Sequence, residues 1–141
     1  SLDAVEPYIM GKIERKEKIM GFGHRVYKAK DPRATDLQKL AKQLAEDTGN
    51  SDLYAKSNAI EKIMERELAA KGIYPNVDFY SATTYHCIGL KLDLFTPMFA
   101  LSRLSGWSGH ILEQLADNRL FRPGAAYNGP HAQPYTPIEN R

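Results

Sequence analysis

The sequence predicts an all-α fold. Apolar residues recur at three- and four-residue intervals along most of its 141 residues, and these runs are bounded by recognisable helix start and stop signals. Strand signals are weak everywhere, with no sustained alternation of apolar and polar side chains.

Taken in order, the opening SLDAVEPYIM enters a helical pattern at once without an initiating methionine, which predicts a chain cut from something longer. The charged run KIERKEK reads as a solvated helix face. It leads into IMGFGHRVYKAKDPRA, residues 19–34, where Gly21 and Gly23 leave little bulk around His24 and suit a loop whose main chain approaches something closely. Asp31 as cap and Pro32 at the first helical position open the next helix, with Leu37, Leu40, Ala41, Leu44 and Ala45 on one face. Thr48-Gly49-Asn50 stops it. A second amphipathic run places Leu53, Ile60, Ile63, Met64 and Leu68 together, ends at Lys71-Gly72, and is followed by a break at Pro75. From Val77, FYSATTYHCIGLKL is small and apolar on nearly every side, as in a helix buried within a larger core. Residues 94–104 and 106–117 predict two helices, or one bent around Ser105-Gly106, and RLFRPGAAYNGP predicts an extended or turn-rich tail.

Composition excludes several classes. With 43% hydrophobic and 26% charged residues the chain suits a soluble globular domain with one core rather than a disordered segment. The single cysteine, Cys87, excludes a disulfide framework and a thiolate zinc cage and predicts a reducing, cytoplasmic setting. No apolar run approaches the roughly 18 residues a membrane span needs, so no membrane is expected. The net charge of +2 is too small to imply nucleic acid.

Charge is nevertheless uneven. Residues 12–33 hold eight Lys or Arg against three acids, a local excess of +5, whereas 77–141 holds five of each sign. In RVYKAKDPR the basic excess follows a glycine loop and precedes a helix N-terminus, which predicts an anionic ligand there, with backbone N–H groups as further donors.

GFGHRVYKAKDPRA, PNVDFYS, FRPGAAYNGP and PYTPIENR together resemble the citrate synthase family, in the order its members carry such segments, over essentially the whole chain. The resemblance implies the C-terminal portion of a bacterial-type enzyme: residues 1–83 as part of a small, substrate-closing domain and 84–141 as the C-terminal part of a large domain. It implies condensation of acetyl-CoA with oxaloacetate to citrate and CoA, using no cofactor and no metal, in a homodimer that closes over its substrates.

Roles follow residue by residue from that resemblance. Asp78 would remove the weakly acidic methyl proton, a task that favours a carboxylate beside an apolar stretch. The residue-level alternative is a plain helix cap, with Ser81 three residues on. His24 would donate a hydrogen bond to the oxaloacetate carbonyl as charge develops on its oxygen. Arg33 and Arg122 would hold substrate carboxylates, and Arg141 would reach the neighbouring subunit's site. Gly21, Phe22, Gly23 and Lys28 would contact CoA, with Arg25 a weaker candidate. His86 and His110 read as core or interface histidines and His131 as exposed. The family mechanism also uses a histidine on a segment preceding this region, so these residues alone are expected to be inactive.

Two other readings stand beside this one. A 2-methylcitrate synthase would use propionyl-CoA in the same chemistry, and one methylene gives small discrimination. A non-catalytic helical interaction module is the reading from another class. A nucleic-acid module is disfavoured, because only Phe22 and Tyr27 interleave the basic stretch.

Overall fold

Five α-helices form in the computed structural model, which describes residues 1–141: α1 (Val5–Glu14), α2 (Pro32–Asp47), α3 (Ser51–Leu68), α4 (Val77–Cys87) and α5 (Phe95–Ala116). Short 3-10 turns at Leu2–Ala4, Ala69–Lys71, Leu92–Leu94 and Ile138–Asn140 complete the regular structure. There is no strand; one antiparallel bridge joins Phe22 to Pro75. The all-α expectation holds.

The helix limits follow the sequence signals closely. Asp31 caps α2 by accepting from the Arg33 N–H, and Pro32 occupies the first position, where its missing N–H costs nothing. Gly72 ends the α3 extension at φ +69°, a left-handed conformation glycine enters without penalty. Residues 95–116 form a single helix that runs through Ser105-Gly106, in place of the two helices also considered.

By contact the chain falls into two compact units, Ser1–Ser102 and Arg103–Arg141. In the first, α2 packs chiefly on α4. Ala34, Ala41 and Ala45 of α2 are wholly buried, and their seven- and four-residue spacing makes one stripe of small side chains. That stripe permits close approach to α4, whose Tyr80, Thr83, Thr84 and Cys87 are buried. The core side of α2 is thus its alanine edge, while Leu40 is 48% exposed. A second cluster forms where α1 meets α3: Ile9, Ile63 and Met64 at its centre, with Val5, Ile13, Phe22, Ile60 and Leu68 around them.

Polar groups are buried together with their partners. Glu61 of α3 accepts hydrogen bonds from Lys30, Gln38 and the Tyr80 hydroxyl, and Gln38 also accepts from Lys30 at 2.9 Å. Burial first, and the bond to Glu61 second, push the Tyr80 hydroxyl far above the ordinary tyrosine range. Ser57 and Thr83 share a further buried hydrogen bond of 3.0 Å between α3 and α4.

Asp78, Ala82 and His86 of α4 are exposed, as is Ile88 just beyond its end. Of the two readings of His86, core or interface, the core one is corrected by this exposure. His110 also lies outside the core, 84% exposed and 3.6 Å from Glu113 on the same face of α5. Within the second unit the chain after α5 forms no helix or strand before the turn at Ile138–Asn140, and His131 is exposed, as expected, its ring edge-on to Tyr127. No residue of α5 is buried; Leu101, Leu104, Trp107, Ile111 and Leu115 are all exposed. No helix is long and apolar enough to cross a membrane.

Candidate active site

The glycine-flanked loop and the N-terminus of α4 meet through backbone pairing between residues about fifty positions apart. Gly23 donates to the Tyr74 carbonyl and Asn76 donates to the Gly21 carbonyl, both at 2.9 Å, on either side of the Phe22–Pro75 bridge. Gly21 sits at φ +83°, and a Cβ there would stand 2.9 Å from Phe79, so this contact requires glycine twice over. Phe22 and Phe79 close the junction with ring centroids 4.6 Å apart.

His24 emerges from this junction exposed, its ring stacked on Tyr27 at 4.6 Å. Its Nδ1 accepts hydrogen bonds from the Val26 and Tyr27 N–H groups, each at 3.1 Å. A ring nitrogen that accepts carries no proton, so neutral His24 holds its proton on Nε2 and offers a single outward donor.

At the other end of the loop, Asp31 is buried and grips Arg33 at two points. Nε donates to Oδ1 at 3.0 Å and Nη2 to Oδ2 at 2.7 Å, while the Arg33 N–H reaches Oδ1 at 2.9 Å. These bonds, with burial opposing them, hold the Asp31 carboxyl below its usual range, and the Arg33 guanidinium is raised in turn. Two of the five guanidinium N–H groups are thereby used; Nη1 and the second Nη2 proton remain to form an end-on fork on a half-exposed side chain. The charge of Asp78 also acts on Arg33. The expected anion position at the α2 N-terminus is corrected by the same geometry: the Asp31 carboxylate already fills it.

Asp78 lies in the first turn of α4 and is exposed. It is not the helix cap. Asn76 is, accepting from the Asp78 N–H at 3.0 Å, while the Ser81 hydroxyl donates back to the Val77 carbonyl. Asp78 borders three cavities. The largest, about 570 Å³, is lined by Gly21, Phe22 and Gly23, has Ile13, Met64 and Ile73 as apolar wall, and carries Lys16, Lys18 and Lys71. The others, about 440 and 350 Å³, are mainly apolar and include Ala82 and Phe95.

The structure thus brings together His24, Asp78, Arg33 and Gly21–Gly23. Lys28 is exposed, its main chain beside Gly72, and is not among the residues lining the cavity of the glycine loop. Arg122 and Arg141 belong to the second unit, both exposed, with Arg141 donating to the Thr136 carbonyl at 2.9 Å. Sequence reasoning missed Asn76 and the orienting function of Asp31. Only the cap preference of asparagine and the adjacency of Asp31 to Arg33 hinted at them.

In this helical fold a loop histidine, a carboxylate at a helix start and an arginine held by Asp31 lie on elements joined by the pairing of residues 21–23 with 74–76. The family follows from comparison: residues 1–124 match the family profile "Citrate synthase, C-terminal domain", and the chain belongs to the citrate synthase family. It is 56% identical over 140 residues to citrate synthase 2 of Bacillus subtilis, covering 99% of this chain and 37% of that protein. It is 51% identical to a citrate synthase of Deinococcus radiodurans, covering 100% of this chain and 37% of that one. A citrate/2-methylcitrate synthase of Bacillus subtilis is 47% identical over 129 residues, covering 91% and 34% respectively. Among solved structures, the Thermoplasma acidophilum citrate synthase in ternary complex with carboxymethyl coenzyme A and oxaloacetate aligns with TM-score 0.87 and 38% identity, over 100% of this chain and 38% of that one. That of Thermotoga maritima aligns with TM-score 0.81 and 41% identity, over 100% and 38%. The chain spans somewhat over a third of the length of these relatives.

Proposed function

We propose that this chain supplies the substrate-closing part of a cytoplasmic, homodimeric citrate synthase that condenses acetyl-CoA with oxaloacetate. The observation that supports it best is the junction of residues 21–23 with 74–76, which ties the backbone leading into His24 to the segment that opens the Asp78 helix.

In this reading the Asp78 carboxylate removes a proton from the acetyl methyl group, and the resulting enolate carbon bonds to the ketone carbon of oxaloacetate. His24 donates from Nε2 to the ketone oxygen as negative charge grows there. Water then cleaves the thioester, giving citrate and CoA. Arg33, held side-on by Asp31, turns its free fork to a substrate carboxylate. The cavity beside Gly21–Gly23 offers apolar wall and lysines to the CoA moiety, with Lys28 a further phosphate contact. Arg122 and Arg141 add carboxylate contacts, Arg141 across the dimer. Residues 1–83 are assigned to the small domain and 84–141 to the large one. For these 141 residues alone we expect binding without turnover.

Relatives named as 2-methylcitrate synthases, at 44% and 47% identity, keep propionyl-CoA as the second reading. The ratio of kcat/KM for the two thioesters in the complete enzyme decides between them. The main test is Asp78→Asn in that enzyme: turnover should fall about a thousandfold with oxaloacetate affinity retained, as loss of a general base predicts. Near-normal turnover would remove Asp78 from the mechanism.

A further inference from the structure

We infer that Asn76 is the positioning residue of this site, its carboxamide fixing the His24 loop and the Asp78 helix end relative to each other. The inference rests on the functional reading above only for its consequence on ligand binding. Both polar atoms of the side chain are used: Oδ1 accepts from the Asp78 N–H at 3.0 Å, and Nδ2 donates to the Gly23 carbonyl at 3.1 Å. The amide orientation is unambiguous, since the flipped group would set N–H against N–H and oxygen against oxygen.

A helix cap alone needs only an acceptor, which serine, threonine or aspartate would supply equally well. Asparagine adds a donor, and that donor is the part directed at the loop. The bond lands on the peptide group joining Gly23 to His24, so it sets the plane from which the imidazole departs. Gly23 has particular need of such a restraint. It lies at φ +84°, and nothing stands within 4 Å of the position a Cβ would take, so packing does not hold it there. The main-chain bonds of the same segment, Asn76 N–H to Gly21 and Gly23 N–H to Tyr74, fix the strand-like register. They leave the orientation of the Gly23 carbonyl to Asn76.

The test compares Asn76→Asp with Asn76→Ala in the 141-residue chain. Aspartate keeps the capping oxygen and replaces the donor by an oxygen facing the Gly23 carbonyl; alanine removes both functions. N76D should melt with the unaltered chain because the cap is retained. Its Gly23 amide should exchange faster, and its His24 ring should lose the single-tautomer ¹⁵N pattern. Oxaloacetate affinity should fall about tenfold, the effect of one hydrogen bond. If N76D keeps the unaltered His24 pattern and affinity while N76A loses them, the residue is a cap only and the inference fails. If the His24 pattern changes in N76D but neither chain binds oxaloacetate, the tie stands and the functional reading falls. Should N76D fail to fold, Asn76→Ser, which also caps but cannot donate to Gly23 from the same place, carries the same comparison.

Discussion

Tyr80→Phe removes one oxygen from a side chain with no solvent exposure. That hydroxyl donates to Glu61 and accepts from Gln38 at 2.9 Å, so the variant loses a hydrogen bond to a charged acceptor without leaving that charge bare: Lys30 and Gln38 still reach Glu61. Such bonds contribute about 1.5–3 kcal/mol, and we expect a loss of about 2 kcal/mol at neutral pH. For a chain of this size that corresponds to a melting temperature lower by about 7 °C. The pH dependence gives a sharper test. The folded-state pKa of Tyr80 is raised, by burial first and Glu61 second, so its contribution is complete below the unfolded tyrosine value of about 10 and is lost as pH rises above it. The loss runs at about 1.4 kcal/mol per pH unit, and phenylalanine has no such proton. The gap between the two chains should therefore close near pH 11.5, about 2 kcal/mol being consumed over about 1.5 units. Urea unfolding of both chains between pH 7 and 11.5 measures it. A gap under about 0.5 kcal/mol at pH 7, or one that does not narrow above pH 10, would refute the buried network as described.

Arg33→Lys should weaken oxaloacetate binding by about 1.5–3 kcal/mol, because one ammonium cannot grip Asp31 and present a fork as well. Its effect on stability should stay within about 1 kcal/mol, since Arg33 is half-exposed. Calorimetry that finds unchanged oxaloacetate affinity would remove Arg33 as a ligand. Asp31→Asn keeps the cap and loses the ion pair; because the folded Asp31 pKa is lowered, chiefly by Arg33, its contribution is present above the unfolded value of about 3.9 and lost as pH falls below it. The variant should be less stable at pH 7 and should converge with the unaltered chain in acid, which melting curves from pH 7 to 2.5 will show. The exposed apolar residues of α5 should make the isolated chain associate, and Leu104→Glu with Ile111→Glu should disperse it in light scattering. A folded monomer that turns over acetyl-CoA and oxaloacetate would overturn both that expectation and the predicted inactivity.

What was legible in the sequence was local. The Asp31-Pro32 start of α2, its stop at Thr48-Gly49 and the left-handed Gly72 each depend on a residue's own backbone preferences and its nearest neighbours, and each was found where the pattern placed it. Asp78 shows the limit: a carboxylate at a helix start suits a cap, but a nearby asparagine wins the position by standing two residues earlier in extended conformation. Within these residues the apolar composition of α4 is used on one side. Small residues on every side signal close approach, and here the approach is on one face, to the alanine stripe of α2. The pairing of residues 21–23 with 74–76, and the meeting of Lys30, Gln38, Glu61 and Tyr80, join positions far apart in the chain. No periodicity encodes such partners.

Those non-local bonds explain how an exposed loop holds a defined geometry. Residues 24–29 are all exposed, and packing against a core does not restrain them. Both ends are instead fastened to the same short segment: Gly23 to Tyr74 and Asn76 at one end, and the Asp31 N–H to the Pro75 carbonyl at 3.4 Å at the other. Lys30, immediately before Asp31, reaches Glu61, which also receives Tyr80, two residues beyond Asp78. Each proposed catalytic group therefore lies next to an anchor rather than being one. His24 follows the tied Gly23, Arg33 follows the buried Asp31, and Asp78 stands between the cap Asn76 and the buried Tyr80. In the proposed reading, His24 Nε2, the outer N–H groups of Arg33 and the Asp78 carboxylate are left to face a ligand while the backbones that carry them are fixed from both directions, an arrangement that keeps donors and acceptors oriented before substrate arrives.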